Sequence, residues 1–201
     1  MRIAFFDVES TGLDVYRDRI VDIAIVHFDE NGKRLSHYDK IINPMMVMSN
    51  EVIRIHGITN EQARQGALWD REKEAVASEF HKADVIAGHN ILGFDIPILN
   101  NHLTGIIDLN SKVIIDTLLL ARRYLPHIKK RGLGSVCQAY DVRLDNAHRA
   151  LPDTVANGQV FFKIIRDLGM TVSDVVEGRM PIGKYNISMY EDPMDQIFKN
   201  L

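Results

Sequence analysis

A chain of 201 residues that is 46% hydrophobic and 25% charged has the size and composition of one ordinary globular domain with a sizeable core. Its net charge of −3 gives no global electrostatic signature for nucleic acid, although cations held by a cluster of acids would cancel part of that charge. Cys137 is the one cysteine, which excludes a disulfide framework and a thiolate metal cage and points to a reducing, cytoplasmic setting.

Met1-Arg2 leads directly into a predicted strand, and no apolar run approaches the roughly 18 residues of a membrane span. Neither a secretory signal nor a membrane partner is expected. Ile3 to Val8 is almost unbroken in its apolar character, as in a central strand covered on both faces. Asp7 and Glu9 interrupt it at the carboxyl end, and strand alternation puts them on one face. At roughly 3.3 Å per residue they stand about 7 Å apart along the backbone. Two ionised carboxylates there are costly unless a cation compensates them. The separation suits two metal ions roughly 3.5–4 Å apart. The residues alone also allow the strand to end at Phe6 with both acids solvated.

Ser10 to Asp14 is turn chemistry, and Ile20 to Phe28 reads as a second strand. Asn31-Gly32 marks a hairpin into a third strand from about Arg34 to Ile42. Ser49 is placed to cap a short helix through Ile55, and Thr59 with Gln62 forms a capping-box pattern for the next. A helix over Asp70 to Lys82 precedes a short buried strand at 84–88, and a loop from His89 turns into a helix whose first turn accepts Pro97. Val113 to Ile115 is the last predicted strand, with helices over 117–124, 133–140 and 152–168, then a short helix. The last long helix puts Phe161, Ile164, Ile165 and Leu168 on one buried face. Antiparallel strands first, then strands alternating with helices, predict an α/β fold: a mixed five-stranded sheet with helices on both faces. Ligands of such sheets sit at the carboxyl ends of strands, where Asp7 and Glu9 are.

Two more acids stand where a loop enters a helix, Asp95 and Asp153. Either one is explained by the helix dipole alone. Asp153, however, shares a helical face with Asn157, Val160, Phe161 and Ile164, the face that turns inward, and an inward carboxylate needs a partner. His148 lies in the loop entering that helix.

Three stretches together resemble the motifs of the histidine branch of the DEDD 3′–5′ exonucleases, which includes proofreading subunits of bacterial replicative polymerases, ribonuclease T and exodeoxyribonuclease X. They are Phe5-Phe6-Asp7-Val8-Glu9-Ser10-Thr11-Gly12-Leu13, Gly88-His89-Asn90-Ile91-Leu92-Gly93-Phe94-Asp95 and His148-Arg149-Ala150-Leu151-Pro152-Asp153. His56-Gly57-Ile58-Thr59 between the first two is also similar to the family. The departures are mild: Val8 and Ser10 replace frequent threonines, and Pro152 precedes the last acid.

The resemblance implies a ribonuclease H-like fold and a phosphodiester hydrolase that releases nucleoside 5′-monophosphates from the 3′ end of single-stranded nucleic acid, DNA favoured over RNA. Asp7, Glu9, Asp95 and Asp153 would hold two divalent cations, and His148 would be the base. Oxygen donors without cysteine favour Mg²⁺ or Mn²⁺, and histidine titrates nearest neutral pH. For substrate, the resemblance implies contacts from Thr11, Gly12, Leu13, His56, Asn90 and Phe94. These residues also have purely local explanations, as turn or core positions. The basic run Lys129-Lys130-Arg131, with Arg122 and Arg123, is either a phosphate track or solvated surface.

The expected domain covers 1–178, and 179–201 is a tail in which Gly183-Lys184-Tyr185 faintly resembles an element appended to some exonuclease-X-like proteins. A separate polymerase or repair partner is compatible with this reading. The competing reading is a nucleic-acid-binding or polymerase-associated module with incidental nuclease activity.

Overall fold

The computed structural model describes residues 1–145 and 147–179. The tail element at 183–185 therefore lies outside the described residues. Three strands open the fold: β1 (Arg2–Ser10), β2 (Ile20–Asp29) and β3 (Arg34–Asn43). They form an antiparallel meander closed by the Asn31-Gly32 turn. Helices α1 (Asn50–His56) and α2 (Asn60–Arg64) follow, then β4 (Ala67–Leu68) and α3 (Trp69–His81). The remaining elements are β5 (Val85–Gly88), α4 (Asp95–His102), β6 (Val113–Asp116), α5 (Thr117–Tyr124), α6 (Leu133–Ala139), α7 (Ala150–Asp167) and α8 (Val172–Val176).

The sheet runs β4-β3-β2-β1-β5-β6, with β5 and β6 parallel to β1. It has six strands rather than the five expected. The extra one is the two-residue β4, which pairs in parallel with Ile42 and Asn43. Two residues are too short to leave an alternation in the sequence, so this edge is set by pairing alone.

Alternation along β1 divides the core. Ile3 and Phe5 join one cluster with α5, α6, α7 and α8, while Ala4, Phe6 and Val8 join another with α3 and α4. Asp7 and Glu9 continue the Ile3–Phe5 face, which α7 covers. That face is held by aromatic packing: the Phe5 ring lies 5.5 Å from Phe28 and 5.4 Å from Phe161, each such pair adding about 0.5–1.5 kcal/mol beyond burial. Gly158 permits the close approach, because a Cβ there would stand 2.5 Å from the Phe28 ring. A small third cluster of Val21, Met48, Ile58 and Ala63 pins α1 and α2 to β2.

Helix α4 begins at Asp95 as expected, whereas α7 begins at Ala150, two residues before the Pro152 expected to open it. Pro97 and Pro152 are each the third residue of their helix. The first-turn amides of a helix have no intrahelical partner, so a proline anywhere in that turn breaks no bond. Among the described residues no helix is long and apolar enough to cross a membrane.

Candidate active site

At the carboxyl end of β1, Asp7, Glu9 and Asp153 each turn a carboxylate oxygen to one point, with these oxygens within 4.8 Å of one another. β1 supplies two of them by its period of two, and α7 lays the third across them. Asp153 Oδ1 is buried with no hydrogen-bond partner among the described residues. Such an orphaned acceptor is unfavourable unless something electropositive faces it.

Asp95 stands beside this trio rather than within it. It is the first residue of α4, is buried, and its Oδ1 accepts from the Val8 amide at 3.1 Å. Burial acts on all four groups, and neighbouring acids add to it at Asp7, Glu9 and Asp95. Burial, then Asp95, Glu9 and Asp153, pushes Asp7 well above the usual carboxylate range. Glu9 is raised to about 8, first by burial and then by Asp153, Asp22 and Asp95, with Arg149 opposing. Burial raises Asp95 to about 7 against the Val8 amide bond, and it also raises Asp153, with His148 opposing. A set of carboxylates that resist ionisation together is one that a divalent cation would stabilise strongly. The donors are all oxygen, which fits Mg²⁺ or Mn²⁺.

His148 lies in the loop that enters α7. Its side chain is exposed, its amide donates to Asp153 Oδ2 at 2.9 Å, and its backbone is left-handed at φ 67°. The candidate base and one candidate ligand are thus bonded to each other.

The residues expected to meet substrate are spread over four segments. The Thr11 hydroxyl is engaged inside its own loop, donating to Asp18 Oδ1 at 2.7 Å and accepting from the Arg19 amide at 3.0 Å. Gly12 lies against the same Asp18 carboxylate, and Leu13 projects into solvent with 86% of its surface exposed. His56 is buried, with Nδ1 accepting from the Ile58 amide at 3.0 Å and Nε2 buried without a partner among the described residues. Burial lowers its pKa, so it is neutral at physiological pH. Asn90 is exposed with a left-handed φ of 66°, and Phe94 is half-buried against the α3–α4 core. In the basic run, Arg131 turns back to the carbonyls of Leu125 and Pro126 at 3.3 and 3.4 Å. Lys129 and Lys130 remain exposed.

Two buried acids complete the site without having been singled out in the sequence. Asp116 caps α5 through the Leu118 amide at 2.9 Å and also accepts from the amides of Asn90 and Leu92 at 3.0 and 3.2 Å. It fixes the loop that delivers Asp95. His89 strengthens that loop, its Nε2 donating to the Arg131 carbonyl at 2.9 Å and its Nδ1 lying 3.0 Å from the Thr117 hydroxyl. Asp22 is 1% exposed and directly opposite Glu9 in the β1–β2 pair. Its Oδ2 accepts from Arg149 Nε at 2.9 Å and from the Ala150 amide at 3.3 Å. The signals were an acid alone in the apolar run Ile20–Val26 and an aspartate at a strand-to-helix junction.

A mixed sheet with a carboxylate cluster at a strand's carboxyl end is compatible with divalent-metal binding. Residues 4–161 match the family model RNase_T, described as Exonuclease, and the chain belongs to that family. The resemblance to the histidine branch of the DEDD enzymes therefore holds at the level of the family. The chain is 31% identical over 167 residues to a PolC-type DNA polymerase III of Pediococcus pentosaceus and 34% identical over 163 residues to that of Latilactobacillus sakei. These matches cover 83% and 81% of this chain but 11% of each polymerase, so the chain spans about a tenth of those relatives. Among solved structures, E. coli exonuclease I in complex with a dA16 oligonucleotide has a TM-score of 0.70 at 17% identity, over 88% of this chain and 42% of the other. At that identity the likeness carries the fold, which is the ribonuclease H-like arrangement expected.

Proposed function

We propose that this domain, over about residues 1–178, is a metal-dependent 3′–5′ exonuclease that hydrolyses single-stranded DNA from its 3′ end and releases nucleoside 5′-monophosphates. The observation that carries the reading is the convergence of Asp7, Glu9 and Asp153 oxygens within 4.8 Å, with His148 bonded to Asp153 through its amide at 2.9 Å. Asp7, Glu9 and Asp153 would hold Mg²⁺ or Mn²⁺ with Asp95 beside them. Bound cations supply positive charge to the attacking water, the phosphate and the leaving 3′ oxygen.

The chain's own residues do the rest. His148, exposed at the rim, accepts the proton of the attacking water. The Val8 amide orients Asp95, so this carboxylate keeps one oxygen for the centre. Leu13 offers an apolar surface against which a terminal base can rest. DNA is favoured over RNA because the polymerase relatives and the oligonucleotide-bound exonuclease I act on or hold DNA by name. A partner in replication or repair is in keeping with the polymerase relatives.

The test is a gel time course on matched 3′- and 5′-labelled single strands of DNA and RNA, with Mg²⁺, Mn²⁺ or chelator. Stepwise shortening from the 3′ end that chelator stops is the expected result. No cleavage of any strand with either metal would favour the binding-module reading instead.

A further inference from the structure

We infer that the Asp22–Arg149 ion pair is a positioning device for the His148 base, an inference that rests on the exonuclease reading above. Asp22 is an unexpected residue where it stands. It is buried on β2 directly opposite Glu9, and like charges facing each other across two strands destabilise the pair. An apolar residue would remove that repulsion, as it does at every neighbouring position from Ile20 to Val26. Nor does Asp22 belong to the trio whose oxygens converge. Its Oδ2 is directed instead at the next loop, to Arg149 Nε at 2.9 Å and the Ala150 amide at 3.3 Å.

Those two residues immediately follow His148, whose φ is 67°. For a residue with a Cβ that conformation is unfavourable by about 1–2 kcal/mol, and it persists only where the surroundings over-determine it. The surroundings do so from both sides. Asp153 Oδ2 takes the His148 amide at 2.9 Å, and Asp22 holds the side chain and the amide just beyond it. One anchor is a candidate ligand on α7 and the other is a rigid central strand. His148 is exposed, and the direction in which its side chain leaves the chain is set by its backbone. Without the Asp22 anchor the peptide is free to relax to a right-handed φ, which redirects the Cα–Cβ bond of His148 relative to the cluster.

The experiment is a double-mutant cycle on the full chain, using a 3′-labelled single-stranded DNA oligonucleotide and Mn²⁺. Arg149→Met is expected to lower kcat on the order of 10²-fold, the effect of misplacing a catalytic group by about 1 Å, with KM and the calorimetric Mn²⁺ midpoint unchanged. In a His148→Ala background the same substitution is expected to have no further effect. Arg149→Lys, whose ammonium still reaches Asp22, is expected to restore part of the turnover. Asp22→Asn keeps the shape and the Ala150 contact and gives the same pattern by a second route if Arg149→Met fails to fold. Losses that multiply in the double variant overturn the inference. A Mn²⁺ affinity that falls in step with the rate also overturns it, because the pair would then serve Asp153 and α7. Wild-type turnover in His148→Ala alone removes the base itself, a failure of the exonuclease reading that is visible before the cycle is closed.

Discussion

Two loops bring side chains to the carboxyl end of β1, and each passes through a left-handed residue that is not glycine, Asn90 at φ 66° and His148 at φ 67°. They are braced differently. The Asn90 loop is held by Asp116, which accepts from the Asn90 and Leu92 amides and caps α5 as well, and by His89, which ties it to Arg131 and Thr117. None of these groups is in the converging acid trio. The His148 loop is held by Asp153, which is in the trio, and by Asp22. One loop therefore owes its shape to groups apart from the chemistry, and the other is tied to the chemistry itself. Damage to the first is expected to read out mainly as stability, and damage to the second mainly as rate.

The largest expected effect is on rate. His148→Ala is predicted to lower kcat by roughly 10²- to 10⁴-fold, the usual contribution of a general base. Calorimetric Mn²⁺ binding is expected to be unchanged, since the trio is intact. A variant that loses metal binding along with turnover would show that the two functions of this loop cannot be separated. The counterpart on the other loop is Asp116→Ala. It removes a helix cap, at about 1 kcal/mol, and leaves the part-buried amides of Asn90 and Leu92 without their acceptor, at about 1 kcal/mol or more. The melting temperature is predicted to fall by on the order of 10 °C. An unchanged melting temperature would mean that the loop does not depend on its brace.

How far the sequence shows this arrangement depends on the kind of signal each element leaves. β1 is legible because a buried strand leaves an apolar run, and two acids closing it stand out against that run. α1 and α2 are legible because Ser49 and Thr59, read from the sequence as caps, accept from the amides of Val52 and Gln62 in the structure. β4 is not, because its two residues are ordered only by pairing with Ile42 and Asn43. The same distinction separates the acids. Asp95 and Asp153 sit in recognisable motifs, whereas Asp22 and Asp116 act through amides and a guanidinium that are distant in sequence. The bond from Asp22 to Arg149 spans 127 positions, and no local pattern encodes a contact of that range.

The acid cluster makes the metal-free protein sensitive to pH. Folding raises Glu9 to about 8 and Asp95 to about 7, mainly by burial, and it raises Asp7 and Asp153 as well. Between the ordinary carboxylate range and about pH 8 the folded state therefore binds more protons than the unfolded state. Stability falls with rising pH wherever that is so. Thermal unfolding in chelator is predicted to give a melting temperature that declines as pH rises through this window, and saturating Mn²⁺ is predicted to reverse the decline. A metal-free melting temperature that rises through the window would place the acids in a more solvated setting than burial implies.

The smallest effect tests the bracing directly. Glycine reaches a positive φ without the Cβ penalty of about 1–2 kcal/mol, so His148→Gly is expected to be more stable than His148→Ala by about 1 kcal/mol. Asparagine already tolerates the left-handed region through its short polar side chain, so Asn90→Gly is expected to stay close to the parent protein. The pair of values, read from denaturant midpoints, measures how much strain each loop stores. Equal stability for His148→Gly and His148→Ala would mean that the loop relaxes once the imidazole is gone. In that case Asp153 and Asp22 hold the left-handed turn only while histidine is present. A gap that persists would mean that the anchors impose the turn whatever side chain it carries, which is what a base held ready for the reaction requires.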